Sequence, residues 1–267
     1  GKALSLNAKD ERVLYRLGVL YEKLGQENLA QNEYHKALVL KPELETVRLR
    51  LGQLYSKTGR FKEAEEQFNK VLELNAESEG GRNNLGVLYY QTDRFGQAEV
   101  EYLRVIKTWP RKVQAYNNLG ILYYETKKYE DAEIIYQKVL ELDPNYIEAK
   151  NNFGVLNLAM NKNKDALRLL QSSKSMDPKR VDTLYYLGMA YMAERKWLSA
   201  QKEFRAALSL NSDNADIYDK IGIVLAQQEK WEKSREAFQS ALRLDPLHLS
   251  AKGNLQRLEN EIIANSQ

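Results

Sequence analysis

The run Asn83-Asn84-Leu85-Gly86-Val87-Leu88-Tyr89-Tyr90 returns 34 residues later as Asn117-Asn118-Leu119-Gly120-Ile121-Leu122-Tyr123-Tyr124. It returns once more, blurred, as Asn151-Asn152-Phe153-Gly154-Val155-Leu156-Asn157-Leu158. Self-similarity at a fixed period of this size marks a repeat architecture and is read before any single motif. Extending the period both ways finds Gly18, Gly52, Gly86, Gly120, Gly154, Gly188 and Gly222, half of the 14 glycines in the chain. All five prolines share another phase (Pro42, Pro110, Pro144, Pro178, Pro246), with Ala76 and Ser212 in the two remaining places. Counting those glycines as position 8 sets repeats at 11-44, 45-78, 79-112, 113-146, 147-180, 181-214 and 215-248, preceded by ten residues and followed by nineteen.

Each repeat predicts two helices. Position 7 (Leu17, Leu51, Leu85, Leu119, Phe153, Leu187, Ile221), the glycine and position 11 (Tyr21, Tyr55, Tyr89, Tyr123, Asn157, Tyr191, Leu225) share one face of a first helix. Position 20 (Ala30, Ala64, Ala98, Ala132, Ala166, Ala200, Ser234), position 24 (Tyr34, Phe68, Tyr102, Tyr136, Leu170, Phe204, Phe238) and position 27 share one face of a second. Turns such as Thr58-Gly59-Arg60 separate the two, and proline ends the second because it cannot continue the hydrogen-bond ladder. A mid-helix glycine costs about 1 kcal/mol against alanine. The recurring glycine therefore implies close approach: the small residue at position 20 is expected to nestle against the first helix. The rings at 11 and 24 are expected to fill the space between neighbouring pairs.

The order Leu-Gly, Tyr, Ala, Phe, Ala, Pro at these spacings resembles the tetratricopeptide repeat family, over nearly the whole chain. The resemblance implies an all-α fold, a right-handed α-solenoid (superhelix) of antiparallel helix pairs. It also implies a non-catalytic scaffold holding an extended peptide or partner protein in a concave groove. On this reading the Gly, Ala, Leu, Tyr and Phe pattern is core and specifies no function.

Composition narrows the remaining classes. The chain has no cysteine, which removes disulfides, thiol catalysis and thiolate metal sites. Its net charge of +3 lacks the basic bias of a nucleic-acid binder. No apolar run reaches the roughly 18 residues of a membrane span, so no direct membrane insertion is expected. No signal peptide and no N-x-S/T acceptor is visible, which leaves the compartment open: cytoplasmic by default, with a bacterial periplasm also compatible. The only histidines, His35 and His248, occupy different helical positions in the first and last repeats, and no Ser/His/Asp set, P-loop or zinc spacing occurs. No cofactor or metal is called for, and no enzyme is expected in this segment. Arg104 to Lys112, with Trp109 and Pro110, reads as cations at a helix end rather than an RNA site. Trp197 and Trp231 read as packing rings.

Function is sought where the fold does not require a residue. The family's groove is lined by positions 2, 5, 6, 9, 12 and 13. Positions 5 and 6 carry the pairs Asn83/Asn84, Asn117/Asn118 and Asn151/Asn152. An amide offers two donors and an acceptor, so a row of them pairs with a peptide backbone whatever its sequence. This is similar to the asparagine ladder in the repeat superhelix of O-GlcNAc transferases. The other reading, that Asn-Asn-Leu-Gly is family consensus, stays open, and it is the preferred one at position 5, where a neighbouring repeat can bury the residue. Val87, Ile121 and Val155 at position 9, with Tyr90 and Tyr124 at position 12, add apolar contact between amides. Arg16 and Arg50 at position 6 and Lys23 and Lys57 at position 13 make the early groove basic, while Glu148, Asp182 and Asp216 at position 2 make the late groove acidic. That gradient either orients a ligand or is a chance order of solvated charges. Chaperone-tail binding is disfavoured, because position 5 never carries Lys and position 9 never carries Asn.

The ends and the fifth repeat depart from the pattern. Lys2-Ala3-Leu4-Ser5-Leu6-Asn7 reads as the end of a second helix in a truncated preceding repeat, so residues 1-10 are expected to belong to a longer protein. A glycosyltransferase domain is one candidate for the remainder. The same edge offers an alternative role, self-association in bacterial pilus, secretion or organelle assembly. Residues 249-267 read as a capping helix and tail, with Leu249, Leu255, Leu258 and Ile262 as its apolar stripe. The fifth repeat, with Asn157, Leu170, Ser173 and Lys174 at positions 11, 24, 27 and 28, reads either as drift or as a locally soft segment.

Overall fold

A computed structural model describes residues 10–265, and every regular element among them is an α-helix. The stretch from Lys2 to Asn7 lies outside the described residues, as do Ser266 and Gln267. The chain forms two compact units, Gly1–Lys128 and Tyr129–Gln267. The first holds α1 (Glu11–Lys23), α2 (Glu27–Leu40), α3 (Glu45–Lys57), α4 (Phe61–Leu74), α5 (Glu79–Gln91), α6 (Phe95–Thr108) and α7 (Val113–Glu125). The second holds α8 (Tyr129–Leu142), α9 (Ile147–Ala159), α10 (Asn163–Met176), α11 (Val181–Ala193), α12 (Trp197–Leu210), α13 (Ala215–Ala226), α14 (Trp231–Leu244) and α15 (Leu249–Asn265).

Within each unit the helices pack as antiparallel pairs, α1 with α2, α3 with α4 and α5 with α6, then α9 with α10, α11 with α12 and α13 with α14. The first helices of successive pairs also touch, α3 on α5 and α5 on α7 in one unit and α9 on α11 in the other, so they form a layer. This is the all-α solenoid class that the period predicts.

The turn inside each pair is built the same way. Position 15 has left-handed backbone at Gly25, Gly59, Asp93, Lys127, Asn161, Arg195 and Glu229, with φ between 54° and 75°. The next amide reaches back to the carbonyl of position 11, as from Arg60 to Tyr55 (2.8 Å) and Arg94 to Tyr89 (2.8 Å). That bond is the long closure of a Schellman cap, which satisfies carbonyls left open at a helix end. It also brings the basic side chain at position 16 over the ring at position 11: Arg60 lies 4.3 Å from the Tyr55 ring centre and Arg94 4.3 Å from that of Tyr89. Both groups of the third pair then clasp the preceding one, Tyr89 Oη donating to Glu65 Oε1 (3.0 Å) and Arg94 Nη1 to the same oxygen (3.1 Å).

The recurring glycines make room for position 24. A Cβ added to Gly86 would stand 2.5 Å from the Tyr102 ring, and one on Gly222 2.5 Å from that of Phe238. Position 20 does lie against the first helix, since the Ser234 hydroxyl donates to the Gly222 carbonyl at 2.8 Å. The expectation that the glycine serves position 20 is thus corrected: the room left by the missing side chain is taken by position 24, one turn further on, which is a ring except at Leu170 in the fifth pair.

Two smaller expectations also change. Leu249 is 85% exposed, while Ala251 and Leu258 are buried, so the apolar stripe of α15 runs Ala251, Leu255, Leu258, Ile262. Those spacings of four, three and four keep one helix face, whereas the six-residue step from Leu249 leaves it. The basic stretch before α7 is partly neutralised, with Arg104 on Glu101 (2.7 Å) and Lys112 on Glu79 (2.6 Å). Trp197 packs against the core shared by α11, α12 and α13.

Candidate functional site

The paired asparagines of the first unit sit on α5 and α7, in the layer of first helices. Helical period places positions 2, 6, 9 and 13 along one stripe of each helix. On that stripe, and beside it at position 5, the amides meet one another. Gln53 Nε2 on α3 donates to Asn84 Oδ1 on α5 (3.1 Å). Asn118 Nδ2 on α7 donates to Asn83 Oδ1 on α5 (3.1 Å), and Gln114 Nε2, one turn earlier, donates to Asn118 Oδ1 (3.0 Å). Asn83, Asn84 and Asn118 are half-buried, as are Val87 and Tyr90 on α5 and Ile121 and Tyr124 on α7. The Tyr90 ring leans on Phe95 at 6.0 Å, and burial, then Glu125 and Asp93, push its hydroxyl pKa up, so it stays a neutral donor.

Position 5 behaves differently down the chain. Asn117 is only 4% exposed and Asn151 2%, and Asn151 Nδ2 donates to Thr183 Oγ1 on α11 (2.8 Å). Asn151 thus holds α9 against α11, and both amides are buried where a ligand has no access. Asn152, half-buried on α9, stays at the surface of the second unit.

Arg16 and Arg50 are exposed on α1 and α3. Arg16 lines a cleft of about 290 Å³ with Arg12, Tyr15 and Thr46. The Tyr15 hydroxyl, and further off the Glu22 carboxylate, hold the Arg50 guanidinium pKa above its ordinary value. Lys57 pairs with Glu27 at 3.0 Å. The basic character expected at the start of the groove is therefore tempered by Glu22 at position 12 of α1 and by Glu27 of α2, of which only Glu27 lies outside the first-helix positions.

Two further members of the amide row, Gln53 and Gln114, stand outside the asparagine pairs. The signal was available: Gln114 stands four residues before Asn118, the spacing at which side chains on one helix face meet. Asp219, at position 5 of the last pair, also stands outside the asparagine pairs. That carboxylate is fully buried and receives Lys220 (3.0 Å), Ser250 (2.9 Å) and Asn254 (2.8 Å), the last two from α15. Among the described residues no group of His, Asp and Glu is placed to hold a metal, and no helix is long and apolar enough to cross a membrane.

Models of the tetratricopeptide repeat match residues 11–44 and 46–78, 113–146, and 185–248. No curated protein matches the chain. Among solved structures, a tetratricopeptide repeat protein from Parabacteroides merdae ATCC 43184 is similar at 17% identity, over 93% of this chain and 98% of its own, with a TM-score of 0.71. PilF of Pseudomonas aeruginosa is similar at 20% identity, over 81% of this chain and 97% of its own, with a TM-score of 0.70. YrrB, described as a TPR protein with an unusual peptide-binding site, is similar at 22% identity, over 70% of this chain and 96% of its own, with a TM-score of 0.54. At these identities the likeness concerns the fold. The repeat models together span more than half of the sequence, and the chain belongs to the tetratricopeptide repeat family, whose members generally mediate protein–protein interactions.

Proposed function

We propose that this chain is a binding scaffold whose first unit takes an extended segment of a partner protein along α3, α5 and α7. The observation that carries this reading is the row of amides running Gln53 to Asn84 and Gln114 to Asn118 to Asn83. A primary amide has two N–H groups and an oxygen with two lone pairs, so one mutual bond leaves capacity for a peptide's N–H and C=O. The mutual bonds also fix the rotamers, which lowers the ordering cost of binding. Val87, Ile121, Tyr90 and Tyr124 give the flanking apolar contact that a site with a few placed polar groups needs. No catalytic role is part of this reading, and its family relative YrrB has a described peptide-binding site.

The test is selection of peptides from a random library on the whole chain, followed by affinity measurement on Asn84→Ala/Asn118→Ala. Each lost amide contact contributes roughly 0.5–1.5 kcal/mol, so the double variant is expected to bind about 10-fold or more weakly with its helical content unchanged. Equal affinity for both proteins would sink the amide row as the binding feature.

A further inference from the structure

The second unit carries a cleft of about 460 Å³ at the first turns of α11 and α13, lined by Arg180, Asp182, Tyr185, Tyr186, Asn214 and Asp216. Its floor is an aromatic corner. The Tyr185 and Tyr186 rings meet edge to face at 5.6 Å, and Tyr185 is backed by Phe204 at 5.9 Å. Both tyrosines are half-buried, so each is held in place and still reaches the cleft.

The rim is acidic. Arg180 is spent on two carboxylates, its Nε on Asp182 (2.9 and 3.1 Å) and its Nη1 on Glu148 (3.0 Å). Asp216 adds a third carboxylate. Among the described residues its side-chain partner is His248 Nε2 at 3.0 Å, and His248 Nδ1 meanwhile accepts the Ala251 amide at 3.1 Å. Two lining carboxylates, with Glu148 behind Arg180 as a third, outweigh the one guanidinium and leave the rim negative, and the Asp216 side chain is 67% exposed.

Packing does not require this chemistry. The same cleft in the first unit has Arg12, Tyr15, Arg16 and Thr46 at the positions corresponding to Asp182, Tyr185, Tyr186 and Asp216. One backbone geometry thus carries cations in one unit and acids with an added ring in the other.

We infer that the cleft between α11 and α13 is a specificity site for an arginine side chain of a partner protein. A guanidinium is planar and weakly hydrated, lies flat on a tyrosine ring, and offers a fork of donors to a carboxylate. Tyr186 and Tyr185 supply the ring faces, and Asp216 with Asp182 supplies the acceptors. A lysine ammonium would meet the charge but not the flat surface.

The test titrates the whole chain with a blocked, otherwise uncharged pentapeptide carrying arginine at its centre, and with the same peptide carrying citrulline, which has arginine's shape without its charge. Affinity is read by calorimetry and location by the ring resonances of Tyr185 and Tyr186. The arginine peptide is expected to bind about 10-fold more tightly, a preference that falls below ~3-fold in Asp216→Asn and in Tyr186→Leu. Tyr186→Phe keeps the ring and is expected to keep the preference, which separates loss of the cation contact from loss of structure. Equal binding of the two peptides by the wild-type chain overturns the inference. So does a preference that survives Asp216→Asn combined with Tyr186→Leu. The readout is a preference and not total affinity, so it is independent of the amide row. A preference retained in Asn84→Ala/Asn118→Ala together with unchanged peptide affinity would fault the amide row alone.

Discussion

Phe204 lies on the backbone of Gly188 so closely that a Cβ on the glycine would stand 2.5 Å from ring carbon Cε1. Real carbon contacts do not reach that distance, so the ring or the helix must move. Overpacking of this kind costs about 1–3 kcal/mol, against about 1 kcal/mol that alanine gains in helix propensity. Gly188→Ala is expected to destabilise the chain by up to about 2 kcal/mol in urea unfolding. Gly96 on α6 meets nothing within 4 Å, and Gly96→Ala is expected to stabilise by about 0.5–1 kcal/mol. If both substitutions shift the midpoint the same way, the ring-on-glycine account of the period is wrong.

The fifth pair holds a buried polar side chain at position 27, where the other pairs hold apolar ones. Ser173 is fully buried and its hydroxyl has no partner among the described residues, while Ala37, Val71, Val105, Ala207 and Ala241 occupy that position elsewhere. The Asn151 Oδ1 atom is likewise unsatisfied. An unpaired buried hydroxyl costs about 1–3 kcal/mol. Ser173→Ala is therefore expected to raise stability by about 1 kcal/mol. Amides of α9 and α10 are expected to exchange faster than those of α5 and α6. Equal protection in the two pairs would remove the soft-segment reading.

Asp219 ties the last helix to the fold. Ser250 and Asn254 on α15 both donate to its buried carboxylate, at 2.9 and 2.8 Å, with Lys220 beside them at 3.0 Å. Asp219→Ala leaves three donors facing an empty acceptor, a loss of about 2–4 kcal/mol. The loss is expected to appear first as faster hydrogen exchange across residues 249–264. An Asp219→Ala chain with α15 as protected as before would show that apolar contact through Ala251 and Leu258 suffices.

His35 gives acid sensitivity to the α2–α3 contact. Its Nε2 lies 2.8 Å from the Tyr55 hydroxyl, and burial, then the charges of Arg60 and Lys70, push its pKa below the ordinary value of 6.5. The unfolded chain then binds the proton more readily. This contribution to stability is complete above about pH 6.5 and is lost as pH falls from there through the lowered folded value. His35→Gln is expected to flatten the dependence of the unfolding midpoint in that window. An identical pH profile for both proteins would assign the acid sensitivity elsewhere.

The 34-residue recurrence of glycine, ring and proline by itself determined that the chain is a series of helix pairs. Period 3.6 and the helix-breaking chemistry of proline are local properties, and local properties are legible in order along a chain. The surface row of asparagines was legible for the same reason. Its partners were not, because Gln53 and Asn84 are 31 residues apart and meet only when α3 packs on α5. Burial divided one sequence position into two roles, leaving Asn83 half-exposed beside Asn118 and sealing Asn117 and Asn151 inside. What only the tertiary structure decided was which carboxylate compensates which cation, and which tyrosines frame an open cleft. Those relations depend on distance through space across neighbouring helices, and electrostatics and solvent access follow that distance and not the order of residues.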